Sequence, residues 1–313
     1  MRVPAISFKL SAVSLIAVCS LLLSCGKKTP PTLKAYEKLS APSAVTAIHR
    51  EERIILSWGF SGKKENFKEF HVLRSEDEGF RKIAVIGKDT TTHTDINFKA
   101  GVTYKYKVVA GNLKGVLSDD SNILKINPQP VPPAPKNVLF KIGNDALLIS
   151  WEGSGENVLY NVYRTSEKGK YGMNPINKEP LTAARYSDSL ETNAPVYYTV
   201  RSLLNKEFRD EGPASGEITV DPSIFIPAKP AGFQTVVADD KVVISWNENL
   251  ETWVTKYRVY DKVNEKEGFK LVNESVTPAF MLREKTGAKH MFRVTAVGPV
   301  NESEPSETLE VDF

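Results

Sequence analysis

The stretches IILSW (54–58), LLISW (147–151) and VVISW (242–246) decide how this chain folds, because they are one motif written three times. Their tryptophans, Trp58, Trp151 and Trp246, stand 93 and 95 residues apart. A second echo follows each of them: FHVLR (70–74), YNVYR (160–164) and YRVYD (257–261). A third comes later: YKYKVVA (104–110), VYYTVRS (196–202) and HMFRVTA (290–296), in which Val108, Val200 and Val294 lie 92 and 94 residues apart. Three independent markers at one spacing define a unit of about 90 residues, present three times.

The marker segments alternate apolar and polar residues with a period of two, as in Tyr104, Tyr106, Val108 and Ala110. They are rich in Val, Ile, Tyr and Phe, and Gly, Asn, Asp and Pro punctuate the gaps. No long segment carries a helical stripe. Short strands and frequent turns in a unit of this size predict a two-sheet antiparallel sandwich. The expected fold class is therefore all-β, a tandem array of three antiparallel β-sandwich domains. Proline-rich stretches without strand alternation, NPQPVPPAP (127–135) and DPSIFIPAKPAG (221–232), mark the joints. They place the domains at 40–128, 129–222 and 223–313, strung on semi-rigid linkers as a rod of about 100 Å. Trp58, Trp151 and Trp246 are the expected structural core, each worth about 4–6 kcal/mol of transfer energy as an upper bound.

Each unit resembles a fibronectin type III domain, which has an immunoglobulin-like fold. In that family the Ser-Trp pair ends strand B, the aromatic-x-Val-aromatic-Arg run is strand C, and Tyr-x-aromatic-x-Val-x-Ala is strand F. A Gly-aromatic pair opening strand C′ is matched by Gly79-Phe80 and Gly268-Phe269, and loosely by Lys170-Tyr171. The Tyr-x-Asp step is matched by Tyr186-Ser187-Asp188 and, weakened, by His93-Thr94-Asp95. The corner tyrosine position holds Tyr104 in the first unit, but Val196 and His290 in the others, and Leu282 replaces the acid in the third. The resemblance implies that those two corners lack the phenolic hydrogen bond and are looser for it.

The N-terminus carries Arg2 and Lys9, no acidic residue through position 24, and then the uncharged run LSAVSLIAVCSLLLS (10–24). Fifteen helical residues rise only about 22 Å, short of the hydrocarbon core, so residues 1–24 read as an export signal rather than a spanning helix. Leu22-Leu23-Ser24-Cys25 before Gly26 resembles the lipobox of bacterial lipoproteins. That resemblance implies cleavage between Ser24 and Cys25, acylation of Cys25 including palmitate-type chains, and anchoring in the cell envelope. Gly26, with no Asp in its place, resembles lipoproteins sent to the outer membrane. More than one acyl chain is needed for durable anchoring, which suits this chemistry. A disulfide with Cys19 fails because Cys19 leaves with the signal. Residues 25–39 then read as a flexible tether.

The formal charge of +3 falls near +1 once the leader is removed, and no basic block interleaves with aromatics, so a nucleic-acid footprint is excluded. No phosphate-binding loop or nucleophile elbow occurs. The four histidines, His49, His71, His93 and His290, are far apart, and no metal-ligand spacing exists. Asp119-Asp120 and Asp239-Asp240 stand at expected turns. No cofactor, metal or catalysis is expected. What remains is surface. The loops KEFRDEGPAS (206–215) and GPVNESEPS (298–306) are charged and unlike each other. Trp253, outside the repeat frame, is the candidate anchor for a partner or a glycan ring, against packing under its own loop. The reading is a non-catalytic rod, lipid-anchored, serving protein binding, adhesion or scaffolding in the envelope or outside the cell. A carbohydrate-binding accessory and a pure structural spacer are the alternatives.

Overall fold

The computed structural model describes residues 36–63, 65–77, 79–238, 241–263, 266–283 and 289–312. Ser24, Cys25, the leader, the first part of the tether and Asp239-Asp240 lie outside the described residues. The described chain falls into two compact units. One comprises 36–46, 56–93 and 104–125; the other comprises 47–55, 94–103 and 126–312.

The fold is all-β and built of paired sheets. Strands β1 (Ser43–Arg50), β2 (Arg53–Gly59) and β5 (Thr92–Asp95) run side by side, and β4 (Arg81–Gly87), β3 (Phe67–Ser75), β6 (Tyr104–Asn112) and β7 (Leu124–Ile126) form a second sheet in that order. The pattern recurs with β8 (Lys136–Ile142), β9 (Ala146–Glu152) and β11 (Arg185–Ser189) against β10 (Leu159–Thr165), β12 (Val196–Leu203), β13 (Glu211–Ala214) and β14 (Ile218–Val220). It recurs again with β15 (Gln234–Ala238), β16 (Lys241–Ser245) and β19 (Ala279–Arg283) against β18 (Lys270–Ser275), β17 (Lys256–Lys262), β20 (Lys289–Val297) and β21 (Leu309–Asp312). Pairing is antiparallel throughout the second and third sandwiches and between β3 and its neighbours β4 and β6, while β1 meets β13 in parallel, Arg50 opposite Glu211.

Period-two alternation puts one row of each strand inside, as β17 buries Tyr257, Val259 and Asp261 and turns Arg258 and Tyr260 outward. Each motif tryptophan is buried and meets an aromatic ring edge-on at 5.3 Å: Trp58 with Phe70, Trp151 with Tyr160, Trp246 with Tyr257. All three indole N–H groups lack a hydrogen-bond partner among the described residues, a cost of about 1–3 kcal/mol each that the buried ring area outweighs. Serines after the third echo add a tie absent from the sequence reading. Ser118 and Ser121 accept from Ala110 N and Val108 N, and Ser303 and Ser306 from Ala296 N and Val294 N, at 2.9–3.0 Å. Ser215 does the same for Val200 N at 3.0 Å. The Ser-x-x-Ser spacing at 118–121 and 303–306 was the available signal.

Two expectations change. No strand opens at Lys170-Tyr171. Residues 166–184 run without a strand, held by Ile176 N on Val162 O at 2.8 Å and by the Tyr160–Leu181 backbone pair. Pro175 and Pro180 remove ladder donors there, and Gly169 takes φ +74. The corners without tyrosine carry other polar contacts. In the second sandwich Asp188 accepts from Tyr198 and Arg164, both at 2.9 Å. In the third, His290 Nδ1 lies 2.7 Å from Asp261 Oδ2, both side chains buried, with the imidazole stacked on Phe292. A carboxylate–imidazole pair stands where the first sandwich sets Arg74 over the Tyr104 ring, 5.0 Å from its centroid.

Candidate binding surfaces

Charged side chains gather inside the larger unit, where segment 47–55 meets 203–214. Asp210 and Glu211 are both 0% exposed. His49 Nδ1 lies 2.5 Å from Asp210 Oδ1, and Gln129 N and Asn205 Nδ2 donate to the same carboxylate. Arg50 grips Glu211 through Nε at 2.7 Å and Nη2 at 2.6 Å. Asn161 Nδ2 donates to the other oxygen at 2.7 Å, and the Tyr163 hydroxyl joins it there. Burial first, and then the Glu211 charge, push the Tyr163 phenol well above its ordinary range. Backbone bonds from His49 N to Phe208 O (2.8 Å) and Glu51 N to Glu211 O (2.7 Å) seat the segment. Gly212 is required: a Cβ there would fall 1.9 Å from Pro132 O. Both carboxylates are closed off from solvent and spend their oxygens on neighbouring segments, so they tie the fold together. The loop 206–215, read as exposed charge, is thus corrected at its centre: its acids are sunk because buried cations and amides await them.

The third sandwich repeats the arrangement in the open. Glu302 accepts from Tyr260 at 2.9 Å, from Thr295 at 2.7 Å and from Arg258, which also bonds Glu274 at 2.7 Å. Burial raises the Glu302 carboxyl, but the bonds from Thr295, Tyr260 and Arg258 prevail and hold it below the ordinary carboxylate value.

Trp253 is buried rather than displayed at the surface. It is 9% exposed, edge-on to the buried Phe225 at 5.3 Å, with Nε1 3.4 Å from Gly143 O. It sits in the same apolar cluster as Trp151, Tyr160 and Val220, so the ring is spent on packing between segments, not under its own loop. Gly298 packs closely here: a Cβ there would lie 3.0 Å from Phe225 O and 3.1 Å from the indole. Phe225, in the stretch read as linker, is wholly buried after the 3-10 turn Pro222–Ile224.

Among the described residues no group of three metal-ligating side chains converges. Asp119 and Asp120 are engaged by Lys38 at 2.5 Å and Lys107 at 2.8 Å. No described helix is long and apolar enough to cross a membrane.

Open sheet faces offer the contact surface. On the β8-β9-β11 sheet, Leu139 and Leu148 point outward at 65% and 48% exposure. The register sets Lys141, Leu148 and Ser187 in one rung and Leu139, Ser150 and Arg185 in the next. On β15-β16-β19 the outward rung is Val236, Val243 and Met281, beside a rung carrying Lys241 and Arg283. The matching face of the smaller unit is polar, with Thr46 Oγ1 2.9 Å from Ser57 Oγ.

No family model matches the chain. Part of it is similar to a Kelch domain-containing protein of Saccharolobus solfataricus, 28% identical over 133 residues, 41% of this chain and 18% of that protein. It is also similar to amylopullulanases of Thermoanaerobacterium thermosulfurigenes (34% over 95 residues, 30% of this chain, 5% of that one) and Thermoanaerobacterium saccharolyticum (31% over 80 residues, 26% and 6%). The chain thus spans less than a fifth of the length of these curated relatives. The FN1-FN3 domains of chicken CNTN1 align over 87% of this chain and 98% of that one, at 17% identity and a TM-score of 0.28. The fibronectin type III-like sandwich is read from the strand order itself.

Proposed function

We propose that this is a non-catalytic binding protein of the bacterial cell envelope, held by lipid on Cys25 and engaging a protein partner through the open faces of its second and third sandwiches. One observation carries the binding part: outward apolar side chains, Leu139 and Leu148 in adjacent rungs of one sheet and the Val236/Val243/Met281 rung of the other, lie where a solvent-facing sheet places polar residues. Lys141, Arg185, Lys241 and Arg283 flank them, so the fitting partner is an apolar patch rimmed by acids. The leader and Leu22-Leu23-Ser24-Cys25 support export and anchoring on the outer membrane.

A photo-crosslinking side chain at position 148 tests this in cells. A discrete adduct is expected, lost when Leu139→Asp is added and lost when Cys25→Ser leaves an unprocessed, unanchored chain. An adduct indifferent to Leu139→Asp would remove the sheet face from the reading. Normal processing and membrane retention of the Cys25→Ser chain would remove the anchor.

A further inference from the structure

We infer that the smaller unit carries a binding site for a neutral pyranose ring, at the end of the sandwich capped by the loop after β2. This site shares no residue with the sheet faces above.

Each sandwich places a tryptophan edge-on to the first aromatic residue of the second echo. In two of them that residue is tyrosine, and its hydroxyl fastens the overlying loop. Tyr160 accepts from Ser154 N at 2.9 Å, and Tyr257 from Asn249 N at 3.0 Å. Phe70 has no hydroxyl to offer. Two further rings gather instead: Phe60 lies 4.8 Å from Phe67 and 5.1 Å from Phe70, with Phe67 and Phe70 4.6 Å apart. Phe67 and Phe70 are buried, whereas Phe60 is half-buried. The matching positions in the other sandwiches hold Gly153 and Asn157, and Glu248 and Val254, so this aromatic cup belongs to the first alone.

Phe60, backed by the buried Phe67 and Phe70, lines a cavity of about 400 Å³ together with Lys88, Asp89 and Thr91. That volume falls within the range of small-molecule sites. Gly62 closes over the outer ring so tightly that a Cβ would lie 2.2 Å from Phe60 Cζ, which holds Phe60 in place over the cup.

The occupant follows from the groups present. The half-buried Phe60 ring offers an aromatic surface for an apolar face. The rim offers an acceptor-only carboxylate, a donor-only ammonium and a hydroxyl that does both. An aliphatic side chain would use none of the rim, and a charged ligand would gain one rim charge only by facing the other, Asp89 for an anion and Lys88 for a cation. A pyranose presents one C–H face and a neutral circle of hydroxyls that both donate and accept. It uses Phe60 and the rim together.

Saturation-transfer NMR on the full chain tests the site with maltoheptaose, xylohexaose and N-acetylchitohexaose. At least one should receive saturation on its ring protons. Phe60→Ala should weaken that binding about tenfold or more, and Gly62→Ala, which displaces Phe60 without removing it, should act in the same direction. Asp89→Asn should weaken it less, with the Trp58 near-ultraviolet signal unchanged in every variant. The inference falls if none of the three sugars receives saturation, if binding survives Phe60→Ala, or if N-acetyl-leucinamide competes as well as the sugar. The crosslink at position 148 is indifferent to all of these variants, so either reading can fail alone.

Discussion

Glu211 and Glu302 hold the same place in two sandwiches, four residues before Ser215 and Ser306, and each accepts from a tyrosine one strand further across the sheet, Tyr163 on β10 and Tyr260 on β17. They differ in where the cation comes from. Strand β17 carries its own guanidinium in Arg258, and the group stays at the surface, with Glu302 at 29% side-chain exposure. Strand β10 has Asn161 at that position, and the guanidinium arrives from Arg50, 161 residues earlier in the chain than Glu211. The import shuts out water. A local, solvated salt bridge contributes little, whereas a buried one is dangerous to break, because removing one partner strands a desolvated charge.

The largest expected effect is therefore at Glu211. Glu211→Ala should cost about 3–5 kcal/mol in urea unfolding and expose the Glu51 amide to hydrogen exchange, while Glu302→Ala should cost no more than about 1 kcal/mol. Equal losses at both sites would mean that burial does not separate them. The double variant Arg50→Met/Glu211→Met should recover much of the loss, since it leaves no orphaned charge.

Much of this was legible beforehand, and the division is physical. The β class and the threefold repeat follow from local rules, a period of two and a recurring Ser-Trp, which the chain reveals in any short window. The imported contacts obey no local rule. Asp210-Glu211 read as exposed because charge signals solvent unless its partner is known, and Arg50 and His49 are distant in sequence. Trp253 and Phe225 misled in the same way: each is a large ring in a loop or linker, and only the fold shows that they bury one another. His290 with Asp261 was within reach, because Tyr104 and Arg74 occupy those places in the first repeat and both change together in the third. The tie of Phe60 to Phe67 and Phe70 was not, since it depends on how a loop folds back.

A smaller effect separates the two tyrosines at alkaline pH. The Tyr163 phenol is pushed up from its ordinary value of 10.0 by burial and then by Glu211. Tyr260 is raised too, by burial and then by its bond to Glu302, but it is only half-buried. A raised group keeps its proton in the folded chain after the unfolded chain has released it. Its stabilisation is complete below pH 10 and declines as pH rises above that. Tyr163→Phe should flatten the alkaline arm of the stability curve more than Tyr260→Phe does. The reverse order would place the stronger coupling at the open site.

The smallest effect is on the acid side, and it belongs to Glu302. Its carboxyl is held below its ordinary value of 4.5, so its contribution is present above that pH and lost as pH falls through the depressed value. Solvent screening limits it to about 0.5 kcal/mol, and added salt should shrink it further. Comparing the wild-type chain with Glu302→Gln between pH 5 and 3, at low and high salt, measures it. A difference between the two that grows as pH falls would have the wrong sign for a depressed carboxylate. A difference indifferent to salt would mean that the Arg258–Glu302 pair is as sheltered as Arg50–Glu211, and the contrast between imported and local cations would then rest on something other than water.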